Sequence, residues 1–227
     1  MPLPSILHED FDLYSTDATA GANRLAKQGN WAQGQGQAKC FLVQSGTVLS
    51  GFNSLAVYSP DDSINVSEAY KLVDKNISAS GHVMYFSVQL TADAYDKASG
   101  KGVWIFPGCG DSVTAPWYVK LCSDDVGVYD NLGSPTWTSF VPSTGVHHYM
   151  VGVNVTGGLE FDADSARFST APVYSGGEAL VVVDPIDRVY VNHDADSAGL
   201  LVAYVDQIEL CEWAPSGWNV AQVIIGG

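Results

Sequence analysis

The chain has 227 residues, of which 46% are hydrophobic and only 15% are charged. That balance is typical of a folded globular protein and excludes a disordered chain. The net charge of −15, from 10 basic and 25 acidic residues, disfavours nucleic acid and anionic membranes as partners. No apolar run in the sequence approaches the roughly 20 residues of a membrane-spanning helix.

Short stretches of alternating apolar and polar residues recur along the chain. The clearest is 82–90, where Met84, Phe86, Val88 and Leu90 share one face, as a half-buried β-strand requires. Further strands are predicted at 41–48, 54–58, 102–106, 117–122, 126–129, 149–155, 180–183, 200–204 and 205–210.

Helical patterns are confined to two places, a single turn within 92–98 and a short helix within 63–74. Many short strands, punctuated by 23 glycines and 10 prolines, indicate an antiparallel β-sandwich or barrel. We therefore expect an all-β fold in which residues 1–227 form one two-sheet antiparallel sandwich domain.

Both ends of the chain are apolar. Segments 1–7 and 214–227 are expected to pair with other strands or with another subunit, and Val223, Ile224 and Ile225 most need such a cover. These ends favour a homo-oligomer or a larger protein assembly such as a capsid.

The four cysteines are Cys40, Cys109, Cys122 and Cys211. None has the C-x-x-C spacing of a zinc or thioredoxin-like site. One bridge could join Cys109 to Cys122 across a hairpin, and another could join Cys40 to Cys211 if the end strands pair. Because no secretion signal is evident, four buried thiols are the favoured interpretation.

Three parts of the sequence resemble concanavalin A-like domains, a class that includes the laminin-G-like modules. They are 7–14 (LHEDFDLY), 148–155 (HYMVGVNV) with 179–185 (ALVVVDP), and 204–210 (YVDQIEL). They are similar to a first strand, a pair of strands ending in an Asx-Pro turn, and a closing strand, although Asp184 stands where Asn is more usual. The resemblance implies a two-sheet jelly roll whose first and last strands are adjacent. It leaves function open, because this fold serves lectins, lyases, glucanases and structural modules.

No catalytic motif is evident, so we expect a protein that is not an enzyme. A retaining glycoside hydrolase needs two carboxylates about 5–5.5 Å apart on one face. The acidic residues Glu160, Asp162 and Asp164 alternate in that way, but they follow two glycines and are interpreted as a solvated loop or sheet edge. The neighbours His147 and His148 must face opposite ways in a strand and cannot share one site.

Oxygen-bearing side chains alternate within 192–199, which superficially resembles a calcium loop. If calcium binds, Asp194 and Asp196 are the expected ligands. The stretch lacks the glycine and glutamate of an EF-hand loop, so an ordinary Asx-rich turn without a cofactor is favoured.

Aromatic residues are frequent between 104 and 137. Trp104, Trp117, Tyr118 and Trp137 are candidates for stacking on sugar rings. The competing interpretation places such residues in the core or at an interface, where large aromatic side chains are common.

Three functions remain after these considerations. The favoured one is a structural or interaction protein of a virion surface or capsid, because the chain begins Met1-Pro-Leu-Pro-Ser without a signal peptide. Such a protein reaches a virion or extracellular surface without a secretory signal, or otherwise stays in the cytoplasm. The alternatives are a lectin-like module that binds polysaccharide, and a polysaccharide lyase or glycoside hydrolase of the same fold.

Overall fold

The computed structural model describes residues 5–59, 66–109, 115–129, 135–154, 156–164, 173–178, 185–194 and 199–212. Within those ranges the chain forms strands joined by turns and by short 3-10 segments at Thr19–Gly21, Leu25–Lys27, Ala38–Cys40 and Lys97–Ser99. No helix in the described part of the chain is long and apolar enough to cross a bilayer.

Fifteen strands are described. They are β1 Ser5–Glu9, β2 Trp31–Gln33, β3 Phe41–Gln44, β4 Ser54–Tyr58, β5 Val66–Ile77, β6 His82–Leu90, β7 Val103–Cys109, β8 Tyr118–Leu121, β9 Val126–Tyr129, β10 Pro135–Trp137, β11 Val146–Val153, β12 Gly158–Ala163, β13 Tyr174–Glu178, β14 Ile186–Asp194 and β15 Leu201–Glu212.

These strands form two antiparallel sheets. The eight-stranded sheet has the order β13-β12-β11-β6-β15-β4-β3, and β1 also pairs with β15. The seven-stranded sheet has the order β10-β9-β8-β7-β14-β5-β2. The predicted all-β sandwich is therefore confirmed, and the first and last of the described strands are adjacent, as the resemblance implies.

The hydrophobic core lies between the two sheets. The central strands contribute alternate residues to it, as the two-residue period of a strand requires. In β7 these residues are Val103 and Ile105, and in β14 they are Val189 and Val191, all at most 1% exposed. In β6 they include Met84, and the predicted bounds 82–90 and inward face of that strand are confirmed.

Two sequence-based predictions are wrong. Residues 63–74 were expected to contain a helix, but Val66–Ile77 form β5, which pairs with β14 and β2. Residues Glu160 and Asp162 were expected in a loop or at an edge, but they lie in β12, which β11 and β13 flank. In both cases pairing with neighbouring strands overrides the local pattern.

The four cysteines agree with the favoured interpretation of buried thiols. Burial raises the pKa of Cys122 and of Cys211 to about 12, so both side chains stay protonated and unreactive near neutrality.

Candidate functional site

The face of the seven-stranded sheet that points away from the core is rich in aromatic side chains. Because Val103 and Ile105 of β7 point into the core, Trp104 and Phe106 point to the opposite face. The same alternation in β8, β9, β14 and β5 brings further aromatic residues to this surface. We call this surface the aromatic face.

A row of five aromatic rings crosses five adjacent strands of this face. From β9 to β5 its members are Tyr129, Tyr118, Phe106, Tyr190 and Tyr70. Successive ring centroids are 6.5, 4.7, 4.9 and 5.6 Å apart. We call this row the aromatic ladder. Spacings of 4.5–7 Å are those at which aromatic pairs attract each other beyond simple burial.

A second row runs parallel to the ladder, displaced from it by two residues along each strand. Its members, in register across six strands, are Trp137, Gly127, Lys120, Trp104, Asn192 and Glu68. This row mixes two indole rings with charged and amide groups. The face therefore combines flat aromatic rings with polar groups, of which Lys120, Asn192 and Glu68 are at most 7% exposed.

Two glycines make room for the rings. A Cβ atom at Gly108 would lie 2.2 Å from the Tyr190 ring, and one at Gly127 would lie 3.1 Å from the Trp137 ring. The absence of a side chain at these positions lets both rings lie against the backbone of the neighbouring strand.

The middle of the second row is an ion-paired cluster. The Lys120 ammonium lies 3.1 Å from Asp194 Oδ2 and 4.6 Å from the Trp104 ring centroid. The Trp104 indole Nε1 donates to the same Asp194 oxygen at 2.7 Å. Since the Lys120 side chain is only 4% exposed, its pairing with a carboxylate offsets much of the cost of its burial.

One end of the row carries a buried carboxylate. The Asn192 side-chain amide donates to Glu68 Oε2 at 3.1 Å, and Glu68 is only 4% exposed. Burial raises the pKa of Glu68, while the hydrogen bond from Asn192 and the charge of Arg188 act in the opposite direction.

The structure brings three of the four predicted stacking residues together. Trp104, Tyr118 and Trp137 all lie on the aromatic face and are partly exposed. The prediction for Trp117 is wrong, because this residue is only 1% exposed and its indole Nε1 donates to His82 Nε2 at 2.9 Å inside the protein.

Sequence reasoning missed four members of the ladder, Phe106, Tyr129, Tyr190 and Tyr70. The alternation in each strand could have placed them on the face opposite the core. Their alignment into one row depends on the register of five strands, which no local sequence pattern specifies.

The predicted calcium ligands are only partly placed. Asp194 engages Lys120 and Trp104 through one oxygen, and Asp196 lies outside the described residues. Within the described ranges, no three His, Cys, Asp or Glu side chains are arranged to hold a metal ion. Calcium binding and the assembly role of Val223, Ile224 and Ile225, which also lie outside the described residues, stay predictions.

A concavity lies on the outer face of the other, eight-stranded sheet. It has a volume of about 240 Å³, and its lining includes His8, Ser87, His148 and Glu209. The His148 ring lies 2.8 Å from the Ser87 hydroxyl, while the neighbouring His147 pairs with Asp164 at 2.7 Å. As predicted, the two histidines have separate environments.

No known family of sequences matches this chain, and no curated protein sequence matches it either. Solved structures do resemble it over nearly its whole length. The catalytic domain of a glycoside hydrolase family 131 protein from Coprinopsis cinerea is 12% identical, with a TM-score of 0.60 over 95% of this chain and 96% of that one. A carbohydrate esterase from the Shiga toxin-encoding bacteriophage phi24B is 11% identical, with a TM-score of 0.58 over 94% of this chain and 100% of that one.

The binding domain of botulinum neurotoxin serotype D is also similar. It is 10% identical, with a TM-score of 0.62 over 98% of this chain, which spans 51% of that domain. A sialidase is similar too, and this chain spans 19% of its length. Together these likenesses confirm the predicted jelly-roll sandwich of the concanavalin A-like type. At such low identity they establish the fold, which is shared by enzymes and binding domains alike.

Proposed function

We propose that this protein is a carbohydrate-binding module that holds a polysaccharide on its aromatic face and does not cleave it. The observation that carries the proposal is the aromatic ladder, a continuous row of one ring from each of five strands, in which Tyr129, Tyr118 and Tyr70 are partly exposed.

The ladder suits an extended chain of sugars. Neighbouring strands of a sheet are about 4.8 Å apart, so a row over five strands is roughly 19 Å long. Aromatic side chains offer broad, rigid faces that lose little conformational entropy when a ligand binds. The C–H faces of sugar rings match such surfaces, and a glycan lying across β7, β8 and β9 can contact the partly exposed rings of Trp104, Tyr118 and Tyr129.

Exposure favours the edge of the ladder as the contact surface. Phe106 and Tyr190 are at most 2% exposed and form a rigid base. The partly exposed Trp104, Tyr118 and Tyr129 surround that base, and Trp137 extends it at the edge strand β10. A rigid base with accessible rings around it is the arrangement expected of a preformed binding surface.

The charged groups of this face favour binding over cleavage. A retaining glycosidase needs two carboxylates that act together across one bond. Here Glu68 is held by Asn192, whereas Asp194 is neutralised by Lys120 and bonded to Trp104. A reducing-end assay over a panel of polysaccharides tests this part of the proposal, and release of reducing ends by the parent but not by a Glu68→Gln variant contradicts it.

Native gel electrophoresis in gels that contain a soluble polysaccharide tests the binding itself. The panel comprises hydroxyethyl cellulose, xyloglucan, galactomannan, dextran, alginate and polygalacturonate. We expect at least one of them to retard the parent, and the double variant Trp104→Ala/Tyr129→Ala to lose that retardation.

The matched control is Phe52→Ala, which removes an aromatic side chain that is 78% exposed and lies in the turn before β4, in the eight-stranded sheet. It is expected to migrate like the parent. Thermal unfolding of every variant separates loss of binding from loss of fold. If no polysaccharide of the panel retards the parent, the proposal is wrong.

A virion-surface role is a second candidate. It is favoured by the likeness in fold, over 94% of this chain, to a protein from a bacteriophage. Such a role is compatible with carbohydrate binding. Light scattering behind a sizing column tests the assembly that it requires, because a trimer or larger ring supports it and a stable monomer contradicts it.

A further inference from the structure

We propose that the aromatic face selects a neutral polysaccharide and rejects acidic ones such as uronate-rich or sulfated chains. This inference rests on the proposed function and adds the chemical class of the ligand. The preference for neutral chains follows from the ion pairs that the charged groups of the face form with other protein groups.

The cations of the face are committed to protein carboxylates. Lys120 is paired with Asp194 at 3.1 Å and is nearly buried. Arg188 makes a two-pronged contact with Asp187, at 2.8 Å through Nε and 2.9 Å through Nη2, and its side chain is 9% exposed. Arginine recognises a carboxylate or sulfate through paired N–H donors of its guanidinium group. In this face the Nε and Nη2 donors of Arg188 are bonded to the protein's own Asp187.

The cation beside the Trp137 indole is also paired with a carboxylate, although its side chain is 42% exposed. The Lys97 ammonium lies 5.6 Å from the Trp137 ring centroid and 2.8 Å from Asp125 Oδ2. An acidic sugar that stacks on Trp137 therefore meets a cation whose charge is already offset.

Among the described residues of this face, carboxylates exceed cations. Asp187 and Asp194 offset Arg188 and Lys120, and Glu68 remains with an amide partner, Asn192. An ionised carboxylate in partly buried surroundings repels a second negative charge strongly, because the effective dielectric constant is far below that of water. The oxygens of Asp187 and Asp194, whose side chains are each 23% exposed, can accept hydrogen bonds from the hydroxyl groups of a neutral sugar.

Four segments that lead into or out of strands of this sheet add no basic residue. The segments 60–65, 110–114, 130–134 and 195–198 lie outside the described residues and contain Asp but neither Lys nor Arg. With a net charge of −15 for the whole chain, long-range electrostatics also disfavours a polyanion.

Three matched pairs of polysaccharides, each with one backbone in a neutral and an acidic form, test this inference. They are hydroxyethyl cellulose with carboxymethyl cellulose, dextran with dextran sulfate, and arabinoxylan with glucuronoxylan, added to the panel above. We expect a neutral member to bind, and acidic chains to bind at least about tenfold more weakly, a difference of about 1.4 kcal/mol. We also expect the neutral binding to change by less than about twofold when ionic strength rises from roughly 0.05 to 0.5 M.

Replacing one carboxylate probes the cause of the discrimination. Glu68→Gln removes a charge but keeps an oxygen that accepts from Asn192, so the affinity for the acidic forms should rise several-fold relative to the affinity for the neutral form. Glu212→Gln is the matched control, because it removes the same charge from a 47% exposed side chain on the eight-stranded sheet.

The outcomes separate the two proposals. Tightest binding to an acidic polysaccharide, weakened by salt and lost in Trp104→Ala/Tyr129→Ala, overturns the selection of neutral chains and leaves the binding function standing. Equal effects of Glu68→Gln and Glu212→Gln also overturn the assignment of selectivity to this face. Absence of binding to every polysaccharide overturns both proposals.

Discussion

Glu9, at the end of β1, shows how much one side chain contributes to this sandwich. Its Oε2 atom accepts from the Lys71 ammonium at 2.6 Å, the Tyr14 hydroxyl at 2.7 Å and the Trp31 indole at 2.9 Å. Its Oε1 atom accepts from the Phe11 backbone amide at 3.1 Å. The carboxylate thus joins the first strand to β2 and β5 of the opposite sheet. The sequence indicated a strand here but did not show that a buried charge network depends on it.

The variant Glu9→Ala is therefore expected to lower the free energy of unfolding by about 3–5 kcal/mol, since it leaves a largely buried ammonium without its partner. Urea denaturation measures the change. The control Glu212→Ala breaks the exposed pair with Lys75 and should cost at most about 1 kcal/mol. Equal costs for the two variants would contradict the role assigned to Glu9.

His82 explains why Trp117 is a core residue. The imidazole is fully buried and accepts from the Trp117 indole through Nε2. Burial lowers the pKa of His82 to about 3, so the native protein keeps this ring neutral. In the unfolded chain the ring regains its ordinary pKa of about 6.5.

A pH dependence of stability follows from this difference. Between pH 6.5 and 3 the unfolded chain binds a proton at His82 that the native protein does not bind, so stability is lost as the pH falls through that range. The variant His82→Gln keeps an acceptor for Trp117 but does not titrate, so its loss of stability between pH 7 and 4.5 should be smaller. Urea denaturation at both pH values tests this, with the 57% exposed His8 changed to Gln as the control. A parent and an H82Q variant that lose stability equally contradict the expectation.

At the scale of strands, sequence pattern predicted those elements whose two faces differ clearly. In 82–90 the alternation gave both the bounds and the inward residues of β6. Strand β5 was missed because Glu68-Ala-Tyr-Lys suits a helix locally, and only pairing with β14 and β2 makes it a strand.

The candidate site was predictable only in part for a related reason. Trp104, Tyr118 and Trp137 lie close enough in sequence to suggest one surface. Tyr70 and Tyr190 join them only through the register between β5, β14 and β7, which is a property of the folded sheet.

Gly108 tests whether the ladder requires close packing between strands. A Cβ atom there would lie 2.2 Å from the Tyr190 ring, so Gly108→Ala must displace that ring. We expect a loss of about 1–3 kcal/mol in the free energy of unfolding, measured by urea denaturation, together with weaker retardation in polysaccharide gels.

Gly145→Ala is the control for this variant, because its Cβ atom would meet only the side chain of Ser143, at 3.2 Å in an exposed turn. It should change stability by at most about 0.5 kcal/mol. If Gly108→Ala is as stable and binds as well as Gly145→Ala, the ladder does not depend on the packing described.

For the whole molecule, the two sheets share one core but present different outer faces. The seven-stranded sheet carries the aromatic ladder and paired charges, whereas the eight-stranded sheet carries a cavity lined mainly by polar and ionisable side chains. Composition and strand spacing were enough to predict the sandwich. The difference between its faces emerges only when the strands are placed in order.

The tryptophans provide the most direct test of the central claim, that carbohydrate binds on the aromatic face. Trp104 and Trp137 lie on that face and are partly exposed, whereas Trp31 and Trp117 are at most 4% exposed inside the protein. The indole N–H signals of the ¹⁵N-labelled chain, assigned with single Trp→Phe variants, are followed while the polysaccharide that retards the chain most is added. We expect the signals of Trp104 and Trp137 to shift while those of Trp31 and Trp117 stay in place. Unchanged signals of Trp104 and Trp137 at saturation would contradict it, because the ligand would then lie on another part of the molecule.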